Sequence, residues 1–174
     1  MFYKVKKSIS LIYTFVLIVV LVVLDQFTKY LAVSNLMNKP DIIIIPGVLQ
    51  LHYLENTGAA FSLLQGRQIL FAIITPVLLI FLLYSIVRMP QVKKYNVLDY
   101  VVVVVIAGAI GNYIDRIVNN YVVDFIYFSL INFPVFNVAD IYVTCGVIVL
   151  FFLVLFYYKD EDFEEIKHSL LLKK

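Results

Sequence analysis

The sequence predicts an all-α membrane protein: a four-transmembrane-helix bundle with a small extracytoplasmic β-sheet cradle and both termini cytoplasmic. Three observations carry this reading. Hydrophobic residues make up 63% of the chain and the mean hydropathy is +0.95, against the about 45–50% apolar content of an ordinary soluble domain. Four apolar runs, at about 8–25, 69–87, 97–114 and 138–158, are each long enough as helix to cross a hydrocarbon core of roughly 30 Å. The basic residues are also sorted: Lys4, Lys6, Lys7, Arg88, Lys93, Lys94, Lys159, Lys167, Lys173 and Lys174 flank one side, whereas Lys29, Lys39, Arg67 and Arg116 fall on the other. That asymmetry marks the first side as cytoplasmic. The whole of 1–174 reads as one integral membrane domain.

The first span begins at Ser8, after three lysines. It has the outline of a secretory signal sequence, but it runs into Asp25-Gln26-Phe27-Thr28-Lys29 with only a weak small-residue cleavage candidate at Ala32 to Ser34. It is therefore read as retained. From Lys7 to Asp25 a helix rises about 27 Å, which places Asp25 near the far interface. Lys29 follows on the same helical face, and a helix-end ion pair is the plain reading of the two.

The connection 34–68 is a β-rich extracytoplasmic insertion. Asp41-Ile42-Ile43-Ile44-Ile45 and 48–54 are strand-like and joined by Pro46-Gly47; in the second, Leu49, Leu51 and Tyr53 alternate with Gln50 and His52. The turn Glu55-Asn56-Thr57-Gly58-Ala59-Ala60-Phe61 follows, in which Gly58 is suited to unusual backbone angles and Asn56 alone reads as a turn residue.

The second span carries Pro76, an expected kink, and closes on Arg88. The third opens with Asp99 and valines at 101–105, then changes to Ala107, Gly108, Ala109 and Gly111, small residues that admit close helix neighbours. Asn112 to Arg116 falls where this helix leaves the bilayer, Val118-Asn119-Asn120 reads as a turn, and 121–136 reads as a short aromatic connection. The fourth span starts near Asn137, with Asp140 at its outer end. The tail 159–174 reads as a frayed or amphipathic cytosolic helix with no chemistry of its own.

Polar and ionisable groups are expensive to hold at a membrane, yet Asp25, Asn56, Asn112, Asp115, Arg116, Asp124, Asn137 and Asp140 all fall on the outer side. Scattered basic residues give no support to nucleic-acid binding, and no phosphate-binding glycine motif is present. A single Cys145 excludes an internal disulfide, and His52 and His168 lack zinc-type spacing. His52 is the only outer imidazole, Lys29 and Lys39 have no recognisable serine partner, and the acids are too dispersed for a one-loop cation cage. Neither metal nor cofactor is expected.

Paired carboxylates remain. In a partly desolvated cleft two of them share a proton, and the pair can then activate water and assist the leaving nitrogen of a peptide bond. Residue chemistry alone leaves the choice open among Asp25, Asp115, Asp124 and Asp140. Asp115 beside Arg116 reads equally as a structural ion pair. Asn112 to Asp115 and Asn137 to Asp140 share the spacing of helix caps. Asp124, flanked by Val122, Val123, Phe125 and Ile126, has no local partner, a setting that raises a carboxyl pKa. An ion-coupled transporter component and a non-catalytic lipopeptide binder are the alternatives; acids at helix ends, without paired broken helices, argue against the first.

Five blocks carry a specific resemblance when taken together and in order: Asp25 to Lys29, Glu55 to Phe61, Gly111-Asn112-Tyr113-Ile114-Asp115-Arg116, Val122-Val123-Asp124-Phe125 and Phe136-Asn137-Val138-Ala139-Asp140. The chain resembles the lipoprotein signal peptidases, the type II signal peptidases, which are four-span aspartic proteases of the bacterial plasma membrane. The resemblance implies Asp124 and Asp140 as the catalytic pair. It implies Asn56, Gly58, Asn112, Arg116 and Asn137 as substrate-binding residues, and Asp25, Lys29 and Asp115 as structural support. Its implied substrate is a prolipoprotein carrying diacylglycerol on the lipobox cysteine, cut before that cysteine at the outer face. Membrane lipid and globomycin-like cyclic peptide inhibitors are the other implied partners.

Overall fold

The computed structural model describes residues 7–58 and 68–171. Ala59, Ala60 and Phe61 of the turn block, together with Lys4, Lys6, Arg67, Lys173 and Lys174, lie outside the described residues. The elements in chain order are α1 (Lys7–Leu36), β1 (Ile42–Ile45), β2 (Leu49–Asn56), α2 (Gln68–Arg88), α3 (Asn96–Asn119), β3 (Val122–Tyr127), α4 (Val138–Phe152, continued by a wider turn over Leu153–Tyr157) and α5 (Asp160–Leu171). Four helical stretches among the described residues are long and apolar enough to cross a membrane: Lys7–Leu36, Ile69–Arg88, Lys93–Asn119 and Val138–Tyr157.

The central helix is α3. Val103, Ile106 and Ala107 are 1%, 0% and 0% exposed, whereas α1, α2 and α4 turn large side chains such as Phe15, Ile73 and Phe151 outward, as lipid-facing helices do. The small residues of α3 let the neighbours close in. A Cβ on Gly108 would stand 2.5 Å from Ala139 O and 2.8 Å from Val143 Cγ2, both on α4, and one on Gly111 would strike the Asp25 carboxylate on α1. α2 runs through Pro76 as one helix.

α1 extends past its expected end at residue 25 to Leu36. The extension is stabilised from outside the helix: Ala32 and Leu36 are buried with Val123 and Phe125 beneath the sheet, and the charges of Asp25 and Lys29 are paired rather than solvated. The sheet itself has three antiparallel strands in the order β1-β2-β3. Gly47 at φ 70° makes the hairpin turn between β1 and β2. β3 lies in the stretch 121–136 that the sequence reads as a short aromatic connection. It pairs with β2 in the register Leu54 to Asp124, Glu55 to Val123 and Asn56 to Val122, and Val122 through Phe125 are all buried, so it shows no alternation of apolar and polar positions. Asn120, with φ 64°, caps α3 and turns the chain into β3.

The tail is an ordered helix fastened to the bundle end opposite the sheet. Lys94 Nζ reaches Asp162 at 2.6 and 2.5 Å, and Tyr95 OH donates to Glu165 at 2.7 Å. Asp162 is held below the usual carboxylate range by the Lys159 backbone N–H and by Lys94.

Candidate active site

Asp124 comes from β3 and Asp140 from the first turn of α4, and the fold joins them through Asn137. Asn137 is the N-cap of α4: its side-chain oxygen accepts from Asp140 N at 3.0 Å, and its own N–H donates to Asp140 Oδ2 at 3.1 Å. This is a capping box. The same side chain then uses Nδ2 to donate to Asp124 Oδ1 at 2.6 Å. One buried asparagine therefore touches both carboxylates. Asn112, which also has cap spacing in the sequence, lies inside α3; its Nδ2 donates to Asp140 Oδ1 at 2.8 Å, and its Oδ1 accepts from Asn137 Nδ2 at 3.1 Å and from Lys29 Nζ at 2.9 Å.

Asn56, at the end of β2, donates from Nδ2 to Asp124 Oδ2 at 2.8 Å, so both oxygens of Asp124 are bonded to carboxamides. Its Oδ1 accepts from Gly58 N at 2.8 Å, and Arg116 Nη2 donates to Gly58 O at 3.0 Å. Arg116 also donates to Asn112 O at 3.2 Å and stacks its guanidinium 4.6 Å from the Phe71 ring centre on α2, and its buried Nε–H has no partner among the described residues. That donor marks a place where a ligand acceptor would be stabilised.

A second buried layer holds the backbone on which the two aspartates stand. Lys29 bridges Asp25 at 2.9 Å and Asp115 at 3.0 Å, and is itself 3% exposed. Asp115 Oδ2 accepts from Val123 N at 3.1 Å, and Asp25 Oδ1 accepts from Ala139 N at 2.9 Å. Each supporting acid thus grips the amide of the residue immediately before a candidate aspartate. Gln26 completes the layer, donating to Asp25 Oδ2 at 3.2 Å, Asp115 Oδ1 at 2.9 Å and Gly111 O at 3.1 Å. Its role was not anticipated from the sequence, although it sits inside the first of the five blocks.

Every site residue expected from the sequence belongs to this one network. His52 does not: its Nδ1 lies 2.8 Å from Asp41 Oδ1 on the β1–β2 hairpin. Among the described residues no group of three or more His, Cys, Asp or Glu is placed to hold a metal ion. Electrostatically, burial pushes the Asp124 carboxyl up and the charge of Asp140 adds to it, against the hydrogen bonds from Asn56 and Asn137 and the charge of Lys29; the result is about 7. A carboxyl that keeps its proton near neutrality beside a second carboxylate is equipped for general acid/base work.

The model of the signal peptidase (SPase) II family matches residues 17–156. The chain belongs to the signal peptidase II family. Among its relatives, the lipoprotein signal peptidase of Caldanaerobacter subterraneus subsp. tengcongensis is 45% identical over 142 residues, covering 81% of this chain and 94% of that protein. The lipoprotein signal peptidase of Enterococcus faecalis is 43% identical, with 81% and 86% covered. A solved bacterial membrane enzyme superposes with a TM-score of 0.75 at 33% identity, covering 82% of this chain and 87% of that one; a second gives 0.73 at 34%, with 84% and 94% covered. As a signal peptidase II, the protein is an aspartic endopeptidase. The transporter and binder alternatives are not favoured by these relatives.

Proposed function

We propose that this protein removes the signal peptide from diacylglyceryl-modified prolipoproteins, cutting before the lipidated cysteine, with Asp124 and Asp140 as its acid/base pair. The observation that carries the assignment is Asn137, which binds both carboxylates at once. Asp124 is the member that starts protonated, because burial and the neighbouring charge keep its proton on near neutrality. Asp140 takes a proton from water, the resulting hydroxide adds to the scissile carbonyl carbon, and Asp124 gives its proton to the carbonyl oxygen. On collapse the tetrahedral hydroxyl returns a proton to Asp124, Asp140 protonates the leaving nitrogen, and the C–N bond breaks. Asn56, Gly58, Asn112, Arg116 and Asn137 hold the peptide, with the Arg116 Nε–H, which has no partner among the described residues, directed to a substrate carbonyl.

The reading places the chain in the bacterial plasma membrane as one integral domain, termini cytoplasmic and the sheet and aspartates at the outer face, following the distribution of lysine and arginine. A lipid-anchored substrate reaches such a site laterally, and globomycin-like cyclic peptides occupy it competitively. The test is cleavage of a lipidated precursor by purified protein: Asp124→Asn and Asp140→Asn insert and fold but release no signal peptide. Retained cleavage by both variants would overturn the assignment.

A further inference from the structure

Two apolar patches flank the same end of the sheet. Along β1, Ile42, Ile43, Ile44 and Ile45 are all exposed, Ile43 at 63%. Beyond β3, the turn Ser129–Ile131 exposes Leu130 at 68% and Ile131 at 69%, as much as the outward Ile80 on α2 at 68%. Gln50 of β2 joins the two patches, pairing with Ile43 on one side and with Tyr127 on the other. This end stands about 20 Å of strand away from Asn56. Neither 42–51 nor 125–139 contains Asp, Glu, Lys, Arg or His.

The turn is braced so that its apolar side chains stay outward. Tyr127 OH donates to Asn132 Oδ1 at 2.6 Å, Asn132 N to Ser129 O at 3.2 Å and Phe133 N to Phe128 O at 3.1 Å, while Phe128 stacks on Phe136. Asn132 closes the turn at φ 48°, a conformation asparagine tolerates. The root of the turn stands where a span begins. Ile126 N donates to Phe136 O at 2.8 Å and Phe136 N to Ile126 O at 3.0 Å, and the next residue, Asn137, caps α4, whose apolar span starts at Val138. From Ile126 the chain reaches Ile131 within at most about 18 Å. The polar groups of the hairpin bond to one another: Gln50 Nε2 donates to Asp41 Oδ2 at 3.0 Å, and His52 Nδ1 lies 2.8 Å from Asp41 Oδ1.

We propose that this end of the sheet inserts into the adjacent leaflet of the bilayer, burying the β1 isoleucines together with Leu130 and Ile131. Exposed apolar surface of this extent marks a contact with membrane or with protein, and its placement decides between them. A second copy adding a strand to β1 would cover that edge and leave Leu130 and Ile131, across β2 and β3, in water. A leaflet covers both flanks at once and continues the lipid contact of α4. At a depth of about 5–10 Å into the boundary between headgroups and acyl chains, headgroups and interfacial water still bond the free backbone edge of β1. The insertion holds the sheet that carries Asp124 at one height beside Asn137.

The sequence contains no tryptophan, so a single substitution reports on one place. Ile43→Trp and Ile131→Trp, each in the full chain, are reconstituted into phosphatidylcholine vesicles, with Ile80→Trp as the reference within a span. Both positions are exposed, so the unfolding temperature in detergent stays that of the unsubstituted chain. Emission from both shifts to the blue and loses most of its intensity to lipid brominated near the headgroup end of its acyl chains. It loses less to lipid brominated near the chain ends, and iodide on both sides of the vesicle spares it; Ile80→Trp gives the reverse order of the two brominated lipids. Quenching by iodide but by neither brominated lipid, at either position, would place the patch in water and overturn the proposal. Emission shielded from iodide and from both lipids would assign the patch to a second copy or another protein and overturn it as well.

Discussion

Asp124 is buried in the middle of a strand, where an acid has little local reason to be. Its pKa of about 7 exceeds the ordinary 3.8, so the sign of its linkage is opposite to that of a salt-bridged aspartate. The folded state holds the proton more tightly than the unfolded chain, and the resulting stability is present below the ordinary value and lost as pH rises through about 7. Asp124→Asn, neutral and nearly isosteric, should therefore change the unfolding temperature little below about pH 4, raise it modestly at about pH 5 and raise it most at about pH 8. A thermal unfolding series across pH reads this directly. The same titration removes the proposed acid, so cleavage efficiency in the unsubstituted enzyme should decline above pH of about 7. The isolation of Asp124 was legible in its apolar neighbours. Its partners were not, since Asn56 is separated from it by 68 positions and meets it only through the β2–β3 register.

At the scale of elements, the site depends on two backbone grips, Asp115 on Val123 and Asp25 on Ala139, joined by Lys29. Lys29→Met leaves two buried carboxylates without their cation and should cost about 3–5 kcal/mol of stability, measured by denaturation in detergent. Gly111→Ala pushes a methyl into the Asp25 carboxylate; a cost of about 1–3 kcal/mol and a loss of cleavage greater than that of an α3 substitution on the lipid-facing side are expected. Hydropathy revealed the four spans because lipid imposes it on their outer faces. It missed β3, since a strand covered on both sides loses its period, and it ended α1 too early, because paired charges look like solvated ones in sequence. The small residues of α3 were legible as a close-packing face, and the structure puts α1 and α4 on them.

Across the whole molecule, function separates into two ends of one bundle. Cleavage chemistry is assigned to the end under the sheet, and the α5 dock to the other. Asp162→Asn, which weakens the tie to Lys94, should increase hydrogen exchange over Asp160–Leu171 while leaving precursor cleavage at the unsubstituted rate. The tail was legible as an amphipathic helix, but its docking depends on Lys94, Tyr95 and Arg88, which sequence order keeps far from it. The central claim is that Asp124 and Asp140 form one electrostatically coupled pair. Its most direct measurement is the titration of the Asp124 carboxyl by carbon NMR of labelled protein, with and without Asp140→Asn. A midpoint near 7 that falls when the Asp140 charge is removed is the predicted result; a midpoint of about 4, unmoved by Asp140→Asn, would contradict it.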